Sequence, residues 1–566
     1  MTAVHDGDEQ ERQAPTFGLG AVLDPVSFGK VLGELAGALA ARPGQALGAW
    51  ATWASALGAA GLATLARALG SDVCGPAAAD GDDRRFADPA WQENPVYFGM
   101  RQGYLLTARF LQDLVDAAGL EPARRQKAEF AVQHLVDALA PTNFLPGNPA
   151  ALKRAFETGG ASLARGLRNF AEDLERNGGW PRQVDEGAFT VGENLAATPG
   201  KVVYRNRLME LIQYAPQTET TYEVPLLLSP PWINKYYVMD LAPGRSFAEW
   251  AVTRGHTVFA ISYRNPDESF RDVGLDDYLL EGPRQALDVI ADITGSERAN
   301  VAGLCLGGTL AGMLAAYLAE GGEDRIGSLT LLNTLLDFAE PGPLGAFVDR
   351  ETVARLEERM AKRGYLDARE MSGTFNLLRA NDLVWHYVAS NWLMGESPPA
   401  FDILAWNRDS TRMPARMHST YLRTCYLENR LVSDTMVVAG RVLKLGAVKA
   451  DAYVVGAEED HIAPWRSSYA GATRLGGSVR FVLTSSGHIA GIVNPPSPKR
   501  SFRVSDELPA GPDEWLAGSQ ARQGSWWEDW AEWIGERAGE QRKPPRTGSR
   551  KHRPLAEAPG TYVHER

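Results

Sequence analysis

The chain has 566 residues, and its 58 basic and 70 acidic side chains give a formal net charge of −12 at pH 7. That length predicts two or three folding units with room for buried cores. A hydrophobic fraction of 44% and a charged fraction of 23% exclude global disorder, a collagen-like repeat and a disulfide scaffold. Net acidity argues against broad nucleic-acid binding, which needs clustered Lys and Arg. The three cysteines and nine histidines are too few and too scattered for a zinc module, and so few cysteines favour a reducing cytoplasm.

The N-terminal third of the sequence is predicted to be helical. Residues 1–25 are polar and acidic and lack the apolar stretch of a signal peptide, so we expect them to be disordered. Residues 26–195 are predicted to form an all-helical domain, because Pro, Gly and Asp clusters separate amphipathic runs rich in Ala and Leu. These runs cover residues 27–70, 101–117, 122–140 and 149–176.

One part of this domain, residues 43–66, carries no charged side chain although it is long enough to span a bilayer. Its Ala- and Gly-rich composition lacks the apolar area of a true span, so we expect no transmembrane segment. Its large residues recur near a helical spacing, which gives the helix one apolar face. Two interpretations stay open: a helix packed within the domain, or one that associates with a hydrophobic surface. The large residues are Leu47, Trp50, Trp53, Leu57, Leu62 and Leu65.

From about Val202 onward, apolar strands alternate with helices, which predicts a mainly parallel sheet in an α/β catalytic domain over residues 196–535. An aromatic-rich insertion at about 333–450 is too long for one crossover and is predicted to form a cap over the sheet. Residues 536–566 are predicted to be a disordered basic tail, with a basic contact site as the alternative. The predicted strands are Met209–Tyr214, Val224–Leu228, Thr257–Ile261, Val301–Leu304, Ser328–Leu332, Ala452–Val455 and Val479–Leu483. The predicted helices between them are Phe247–Arg254, Tyr278–Ile293 and Thr309–Ala319.

The most informative segment is Asn300–Thr309, where a strand runs into Gly-Leu-Cys-Leu-Gly and an Ala- and Leu-rich helix follows. This is the nucleophile-elbow pattern G-x-S-x-G of the α/β-hydrolase fold, with Cys305 in place of Ser. Because the elbow is a strained strand-to-helix turn, the neighbouring Gly303, Gly307 and Gly308 avoid clashes with the backbone. The helix N-terminus beside the thiol favours the thiolate. We therefore predict a nucleophilic cysteine, with a structural Cys in a Gly-rich turn as the alternative.

An acid and a base follow the nucleophile in the order that the α/β-hydrolase fold uses, each after a later strand. His488 follows the last predicted strand and is the predicted base. Asp460 is the predicted acid, and Glu458 and Glu459 in the same loop compete for that role. His461, beside the acid, is predicted to be a loop or pocket residue.

An oxyanion hole for acyl transfer needs two backbone donors. One should be the N–H of Leu306, the residue after the nucleophile. The other is expected from the loop Ser229–Tyr236, whose Pro-Pro pair fixes the chain so that Trp232 or Ile233 offers an amide. We assign Ile233 to the oxyanion hole and Trp232 to the pocket. A lipase would be expected to carry an HG-type loop here, and this chain does not.

These residues together resemble the class I polyhydroxyalkanoate (PHA) synthases, polyester-forming enzymes of the α/β-hydrolase fold. The resemblance spans roughly residues 80–535. Within the family, the single-subunit type that prefers short acyl chains fits best, judged by the motif Tyr421–Leu431. The type that prefers medium-length acyl chains has a polypeptide of similar length. The motifs that carry the resemblance are Asp83–Phe86, Trp91–Pro95, Pro230–Tyr237, Gly255–Asp267, Gly303–Gly308, Trp406–Thr411, Glu459–Trp465, Ser486–Gly491 and Gly524–Trp527.

The resemblance implies that the chain joins (R)-3-hydroxyacyl-CoA units, for example 3-hydroxybutyryl-CoA, into a polyester with release of CoA. It implies Cys305 as the nucleophile and His488 as the general base. It further implies that Asp460 orients His488, activates the hydroxyl of the growing chain, or does both. No cofactor or metal is implied beyond the CoA of the substrate. The implied partners are the polymer granule surface, granule-associated proteins and a second copy in a homodimer, and the implied location is the cytoplasm at that surface.

Two other functions are compatible with parts of this pattern. An acyl-CoA thioesterase or polyester hydrolase of the same fold would release free 3-hydroxy acid instead of polymer. A non-catalytic granule-binding protein would use the helical domain alone. The intact set of Cys305, Asp460 and His488 argues against that second alternative.

Overall fold

The computed structural model describes residues 25–79, 81 and 83–566, which fall into two compact units. The first contains the described residues up to Val184 together with Gly373–Pro399, and the second contains Asp185–Ser372 and Ala400–Arg566. The segment 1–25, predicted to be disordered, lies outside the described residues except for Pro25, which begins the first helix. Among the described residues, none of the helices combines the length and the apolar character needed to cross a bilayer.

The first unit is helical, as its amphipathic pattern predicts. Prolines begin most of its helices, since the first turn needs no N–H donor there. Asn94 and Asn148 cap two helices by accepting hydrogen bonds from the N–H groups of Val96 and Ala151 at 2.9 and 3.0 Å. The helices are α1 (Pro25–Ala40), α2 (Pro43–Ala68), α3 (Ala90–Glu93), α4 (Pro95–Ala118), α5 (Pro122–Ala138), α6 (Pro149–Glu157) and α7 (Ala161–Arg176).

Helix α2 contains the uncharged segment and buries only part of its apolar surface. Trp53 stacks on Phe110 of α4 with 5.0 Å between the ring centroids. Leu57 packs into the same small core beside Leu106. The helix therefore packs within its unit and also leaves large apolar side chains in solvent. Those exposed side chains are Leu47, Trp50, Leu62 and Leu65.

Residues 373–399, predicted as part of the cap, belong to the first unit. The Trp392 indole N–H donates to Asp173 on α7 at 2.8 Å, and Asn381 donates to Asp137 on α5 at 2.8 Å. A Cβ on Gly166 would lie 2.0 Å from the carbonyl oxygen of Trp392, so glycine lets the two backbones approach. The predicted insertion is thus shared between two units, which its aromatic composition did not reveal.

The second unit is built on an eleven-stranded sheet. Its strands are β1 (Gly200–Arg205), β2 (Met209–Tyr214), β4 (Leu226–Ser229), β5 (Val258–Tyr263), β6 (Ala299–Leu304), β7 (Ile326–Leu332), β12 (Asp451–Ala457), β13 (Val479–Thr484), β14 (Ser501–Val504), β15 (Gln520–Gln523) and β17 (Ala556–Glu557). They lie in the order β15-β14-β13-β12-β7-β6-β4-β5-β2-β1-β17. Three small ladders pair β3 (Thr221–Tyr222) with β16 (Gln541–Arg542), β8 (Tyr365–Leu366) with β9 (Met413–Pro414), and β10 (Val437–Val438) with β11 (Arg441–Val442).

The centre of this sheet is parallel, from β5 through β4, β6, β7 and β12 to β13, and the outer strands are antiparallel. Alternate residues face opposite sides, so Leu227 lies in one buried cluster while Leu226 and Leu228 lie in another. Burial on both faces explains the continuous apolar runs in the sequence. Because parallel strands end at one edge, the loops after β4, β6, β12 and β13 meet there.

Helices cover both faces of the sheet. One predicted helix, Tyr278–Ile293, is interrupted, because Gly282 has non-helical angles (φ −91°, ψ −114°) and Pro283 follows it. The helices are α8 (Phe247–Thr253), α9 (Leu275–Leu279), α10 (Gln285–Thr294), α11 (Leu306–Glu320), α12 (Arg350–Arg363), α13 (Ala368–Leu378), α14 (Asp402–Arg408), α15 (Ala415–Tyr421), α16 (Trp465–Ala472), α17 (Pro512–Gly518) and α18 (Trp526–Gly535). Helix α13 crosses the boundary between the two sets of residues.

The prediction of a disordered tail at 536–566 is wrong. Strand β17 pairs antiparallel with β1, which places Ala556 opposite Val202, and β16 pairs with β3. The fully buried Glu210 accepts hydrogen bonds from the N–H groups of Thr561 and Tyr562 at 2.9 and 3.0 Å. The basic composition concealed this order because backbone groups make most of the contacts.

Candidate active site

Cys305 occupies a strained turn between β6 and α11, as the elbow pattern predicts. Its φ of 52° and ψ of −121° lie in a region that L-residues rarely adopt. Its backbone N–H donates to the carbonyl of Leu332 at 2.8 Å, which ties the turn to the neighbouring strand. The thiol is half-buried and free, and it packs between the two buried clusters of the sheet.

The three glycines of the elbow leave no room for a Cβ atom. A Cβ on Gly307 would lie 2.1 Å from the carbonyl oxygen of Ser229, at the end of β4. A Cβ on Gly303 would lie 2.5 Å from the Cα of Gly308, and one on Gly308 would lie 1.9 Å from Oγ1 of Thr334. Real side chains do not tolerate such distances, so the glycines permit the turn and seat it against the loop that follows β4.

His488 and Asp460 meet at the same edge of the sheet. Nδ1 of His488 lies 2.7 Å from Oδ2 of Asp460, and both side chains are buried. The other carboxylate oxygen accepts the N–H groups of Ile462 and Ala463, each at 2.8 Å. Of the three acids in this loop, Asp460 reaches the imidazole. Glu458 and Glu459 are exposed.

The Cys305 side chain also lies close enough to the His488 imidazole to affect its pKa. Burial alone lowers the pKa of His488. The negative charges of Asp460 and Cys305 and their hydrogen bonds outweigh burial and raise this pKa above its ordinary value. The arrangement therefore favours a charged imidazolium beside the carboxylate of Asp460.

The loop after β4 carries the two residues assigned to the oxyanion hole and the pocket. Within the described residues, the backbone N–H groups of Ile233 and Leu306 donate to no protein acceptor. Trp232 is buried, and its ring packs edge-on against Tyr421 at 5.8 Å, while its indole N–H likewise meets no acceptor in the part of the chain described. His461 is half-buried in the loop after Asp460.

Several residues that the sequence did not single out as site residues support this arrangement. Tyr421 and Tyr426 pack edge-on with 5.5 Å between their ring centroids. Burial raises the pKa of each hydroxyl, and the nearby Cys305 side chain adds to the rise. Asn333, which has a positive φ of 43°, donates from its side chain to the carbonyl of His488 at 2.5 Å. The two tyrosines lie in the Tyr421–Leu431 motif, and that motif was the sequence signal that could have identified them. No sequence signal pointed to Asn333.

Helix α18 holds the loop that contains His488. The indole N–H of Trp526 donates to the carbonyl of Gly491 at 2.8 Å, and that of Trp527 donates to Ile492 at 2.9 Å. Both rings are buried, and both pack on Phe247 of α8. The tryptophan-rich segment near the C-terminal end therefore fixes the chain just after the imidazole.

The other two cysteines lie in different environments. Cys425 is fully buried, and burial raises the pKa of its thiol to about 12, which disfavours the thiolate. Cys74 is exposed on the first unit. Among the described residues, no group of three or more His, Cys, Asp or Glu side chains is placed to hold a metal ion.

Fold and site together define an α/β-hydrolase-fold protein with cysteine at the nucleophile elbow. The family model for the alpha/beta hydrolase fold matches residues 231–495. A second family model, described as the N-terminus of poly-beta-hydroxybutyrate polymerase, matches residues 82–251.

Relatives that match most of the chain identify the family to which it belongs. The poly(3-hydroxyalkanoate) polymerase of Methylorubrum extorquens is 46% identical over 488 residues, which cover 85% of this chain and 80% of that protein. The polymerase subunit of Rhizobium meliloti is 45% identical over 89% of this chain and 83% of its own length. That of Cupriavidus necator is 44% identical over 85% of this chain and 83% of its own length. The chain belongs to the poly(3-hydroxyalkanoate) polymerase family, which confirms the resemblance found in the motifs.

Proposed function

We propose that this chain polymerises (R)-3-hydroxyacyl-CoA thioesters into a polyester and releases CoA, with short acyl groups such as 3-hydroxybutyryl as its substrates. The proposal rests on sequence identities of 46% and 45% with two poly(3-hydroxyalkanoate) polymerases, over 85% and 89% of this chain. The juxtaposition of Cys305, His488 and Asp460 supplies a chemistry that fits it. No cofactor beyond the CoA of the substrate takes part.

In the first step, the sulfur of Cys305 attacks the thioester carbonyl and His488 holds the proton of the thiol. A C–S bond to the enzyme forms, and the carbonyl π electrons move onto oxygen. The oxyanion receives hydrogen bonds from the backbone N–H groups of Leu306 and Ile233. When the tetrahedral intermediate collapses, the bond to CoA breaks, and the leaving sulfur takes the proton from His488. The acyl group then rests on Cys305.

In the second step, the hydroxyl of another hydroxyacyl unit attacks that acyl-enzyme. His488 accepts the hydroxyl proton, an ester bond forms, and the Cys305 sulfur leaves and is reprotonated. Asp460 orients the imidazole in this scheme, because one of its oxygens faces Nδ1 and the other accepts two backbone N–H groups.

Apolar side chains around the sulfur would protect the acyl-enzyme from water. Tyr421 contacts Trp232 at 5.8 Å and Tyr426 at 5.5 Å between ring centroids, and Phe338 lies 5.0 Å from Tyr426. A water-poor site favours transfer to an alcohol over hydrolysis. These rings therefore support polymerisation over a thioesterase or polyester-hydrolase activity.

The location we propose is the cytoplasm, at the surface of the polyester granule. The support is the distribution of exposed apolar side chains, because among the described residues those of the first unit outnumber those of the larger second unit. Helix α2 contributes Trp50, Leu62 and Leu65 to this exposed set. Association with granule-bound proteins and a homodimer belong to the same proposal.

The function is tested by incubating purified protein with (R)-3-hydroxybutyryl-CoA and measuring both CoA release and insoluble product. We expect CoA release with polymer formation, and loss of both in Cys305→Ala. Release of CoA with free 3-hydroxybutyrate as the product would indicate a hydrolase, and no CoA release would contradict the proposal. Acyl-CoAs of longer chain, tested in parallel, define the substrate range.

A further inference from the structure

The loop that carries Ile233 is fastened to the chain's C-terminal residues through a buried lysine. Lys235 is 3% exposed, and its Nζ donates to the carbonyl oxygens of Glu565 at 2.6 Å and Tyr562 at 3.3 Å. A buried ammonium group is costly unless hydrogen bonds replace its lost hydration. Tyr562 and Glu565 supply those acceptors, and the carboxylates of Asp409 and Glu565 are the nearby opposite charges.

The C-terminal residues have their own attachment to the sheet. Glu210 on β2 is fully buried, and it accepts the N–H groups of Thr561 and Tyr562 and the hydroxyl of Thr561 at 2.9–3.0 Å. Gly560 has φ +84°, and a Cβ there would lie 2.3 Å from Oε2 of Glu210. The side chain of Glu565 accepts from Arg264 at 3.1 Å. The carbonyls that bind Lys235 are therefore held in place independently of the lysine.

Other contacts fix the loop on both sides of Ile233. Its beginning lies against the elbow, because the carbonyls of Ser229 and Pro230 face Gly307. Further along, the indole N–H of Trp406 donates to the carbonyl of Lys235 at 2.7 Å. Ile233 lies between these two points and is half-buried. Within the described residues, its backbone N–H donates to no protein acceptor. Within the described residues, Lys235 makes the hydrogen bonds that join this loop to residues 562–565.

We propose that residues 562–565 act, through Lys235, to position the backbone N–H of Ile233 for the oxyanion, so that the end of the chain is a working part of the active site. This inference rests on the proposed acyl transfer. Lys235 is a positioning residue, since its ammonium bonds protein carbonyls and does not reach the reacting atoms. The sequence resemblance stops near residue 535, so the motifs gave no reason to expect this role.

The proposal predicts a particular kinetic signature. An oxyanion donor interacts with charge that develops in the transition state, so a displaced donor lowers kcat and leaves KM nearly unchanged. Loss of an oxyanion-hole donor costs about 10²–10³ in kcat, and we expect displacement of the loop to cost about tenfold or more. Removing either the lysine or its acceptors should have the same effect, because each breaks the same link.

The experiment compares the full chain, Lys235→Met, a chain that ends at Thr561, and the combination of both changes, all assayed for CoA release from (R)-3-hydroxybutyryl-CoA. Each single change is expected to lower kcat about tenfold or more with KM within about threefold. The combined variant should be no slower than the slower single variant. Lys235→Arg, which retains a cation able to donate to the same carbonyls, should recover most of kcat. Lys201→Met is the matched control, because it removes only the exposed ion pair with Glu557 at 2.7 Å.

Wild-type kcat in either folded single variant would overturn the inference, and so would multiplicative losses in the combined variant. If Lys201→Met lowers kcat by the same factor, the effect belongs to the C-terminal segment in general, and this result would also overturn the inference. If Lys235→Met does not fold, the chain that ends at Thr561 decides alone, since it leaves the hydroxyl of Thr561 on Glu210. Absence of CoA release by the full chain would refute the proposed function, which separates that failure from failure of this inference.

Discussion

The Nδ1 atom of His488 lies 2.7 Å from Oδ2 of Asp460, although the two residues follow different strands of the sheet. Strands β12 and β13 are parallel neighbours, so their following loops place the carboxylate and the imidazole together. Backbone N–H groups of Ile462 and Ala463 hold the second carboxylate oxygen. This geometry gives Asp460 one orientation, and the imidazole takes its orientation from it.

Replacing the carboxylate by an amide tests this relationship. Asp460→Asn keeps the size of the side chain but removes the charge that orients and stabilises the imidazolium. We expect kcat for CoA release to fall by about 10²–10⁴ while the melting temperature changes little. Glu459→Gln in the same loop is the control, because Glu459 is exposed, and it should stay within about twofold of wild type. Near-normal kcat in Asp460→Asn would contradict the assigned role.

The raised pKa of His488 predicts a pH-dependent stability. A histidine whose pKa rises on folding, here from about 6.5, binds its proton more tightly in the folded chain. The stability that this proton contributes is fully present at a pH below the ordinary pKa of histidine, and it is lost as the pH rises through the raised pKa of the folded chain. We expect the free energy of unfolding to fall with rising pH over this interval, and to fall less in Asp460→Asn. Urea titrations at several pH values measure both slopes, and equal slopes would contradict the prediction.

The tryptophans of α18 are predicted to matter for catalysis as well as for packing. Trp526→Phe removes the indole N–H that donates to the carbonyl of Gly491 and leaves that buried acceptor without its partner. We expect a loss of about 1–3 kcal/mol in the free energy of unfolding and a lower kcat, because the loop after His488 loosens. Trp533→Phe on the same helix is the control, since that ring is only half-buried. Chemical denaturation and initial rates give both quantities, and equal effects of the two variants would argue against a role for the hydrogen bond.

The exposed apolar side chains of α2 are predicted to bind the polymer surface. Replacing Trp50, Leu62 and Leu65 together by Gln removes apolar area without removing buried contacts, since all three are more than half exposed. We expect CoA release from soluble substrate to stay within about twofold, while the fraction of protein that sediments with polymer granules falls about fivefold or more.

A matched triple variant controls for a general loss of surface hydrophobicity. Leu280, Val437 and Leu555 are exposed apolar residues of the second unit, and replacing them by Gln should leave sedimentation with granules unchanged. Equal loss in both triple variants would contradict a specific role of α2. Unchanged sedimentation in the α2 variant would contradict it as well.

The sequence predicts the catalytic part of the fold well because local patterns encode it. The glycines around Cys305 report a strained turn, and the strand order places Asp460 and His488 after it. The apolar runs of the central strands lie within two residues of their observed ends, as for Val479–Thr484. These signals are contiguous in the chain, so no knowledge of distant contacts is needed to read them.

Features that depend on distant contacts could not be predicted in the same way. The C-terminal segment looks disordered by composition, yet it pairs with β1 and bonds the buried Glu210 through backbone groups. Asn333 contacts the carbonyl of His488 across 155 positions of sequence, and a lone Asn carries no signal for that. The choice between Asp460 and its acidic neighbours also needed geometry, because the three residues are adjacent in the chain.

The acyl-enzyme on Cys305 tests the central claim most directly. The protein is mixed with (R)-3-hydroxybutyryl-CoA, quenched in acid within the first turnovers, digested and analysed by mass spectrometry. The proposed mechanism predicts hydroxyacyl groups in thioester linkage on the peptide that contains Cys305, none on those with Cys74 or Cys425, and none on Cys305→Ala. Release of CoA and growth of polymer without any acyl group on Cys305, or polymer formation by Cys305→Ala, would contradict it.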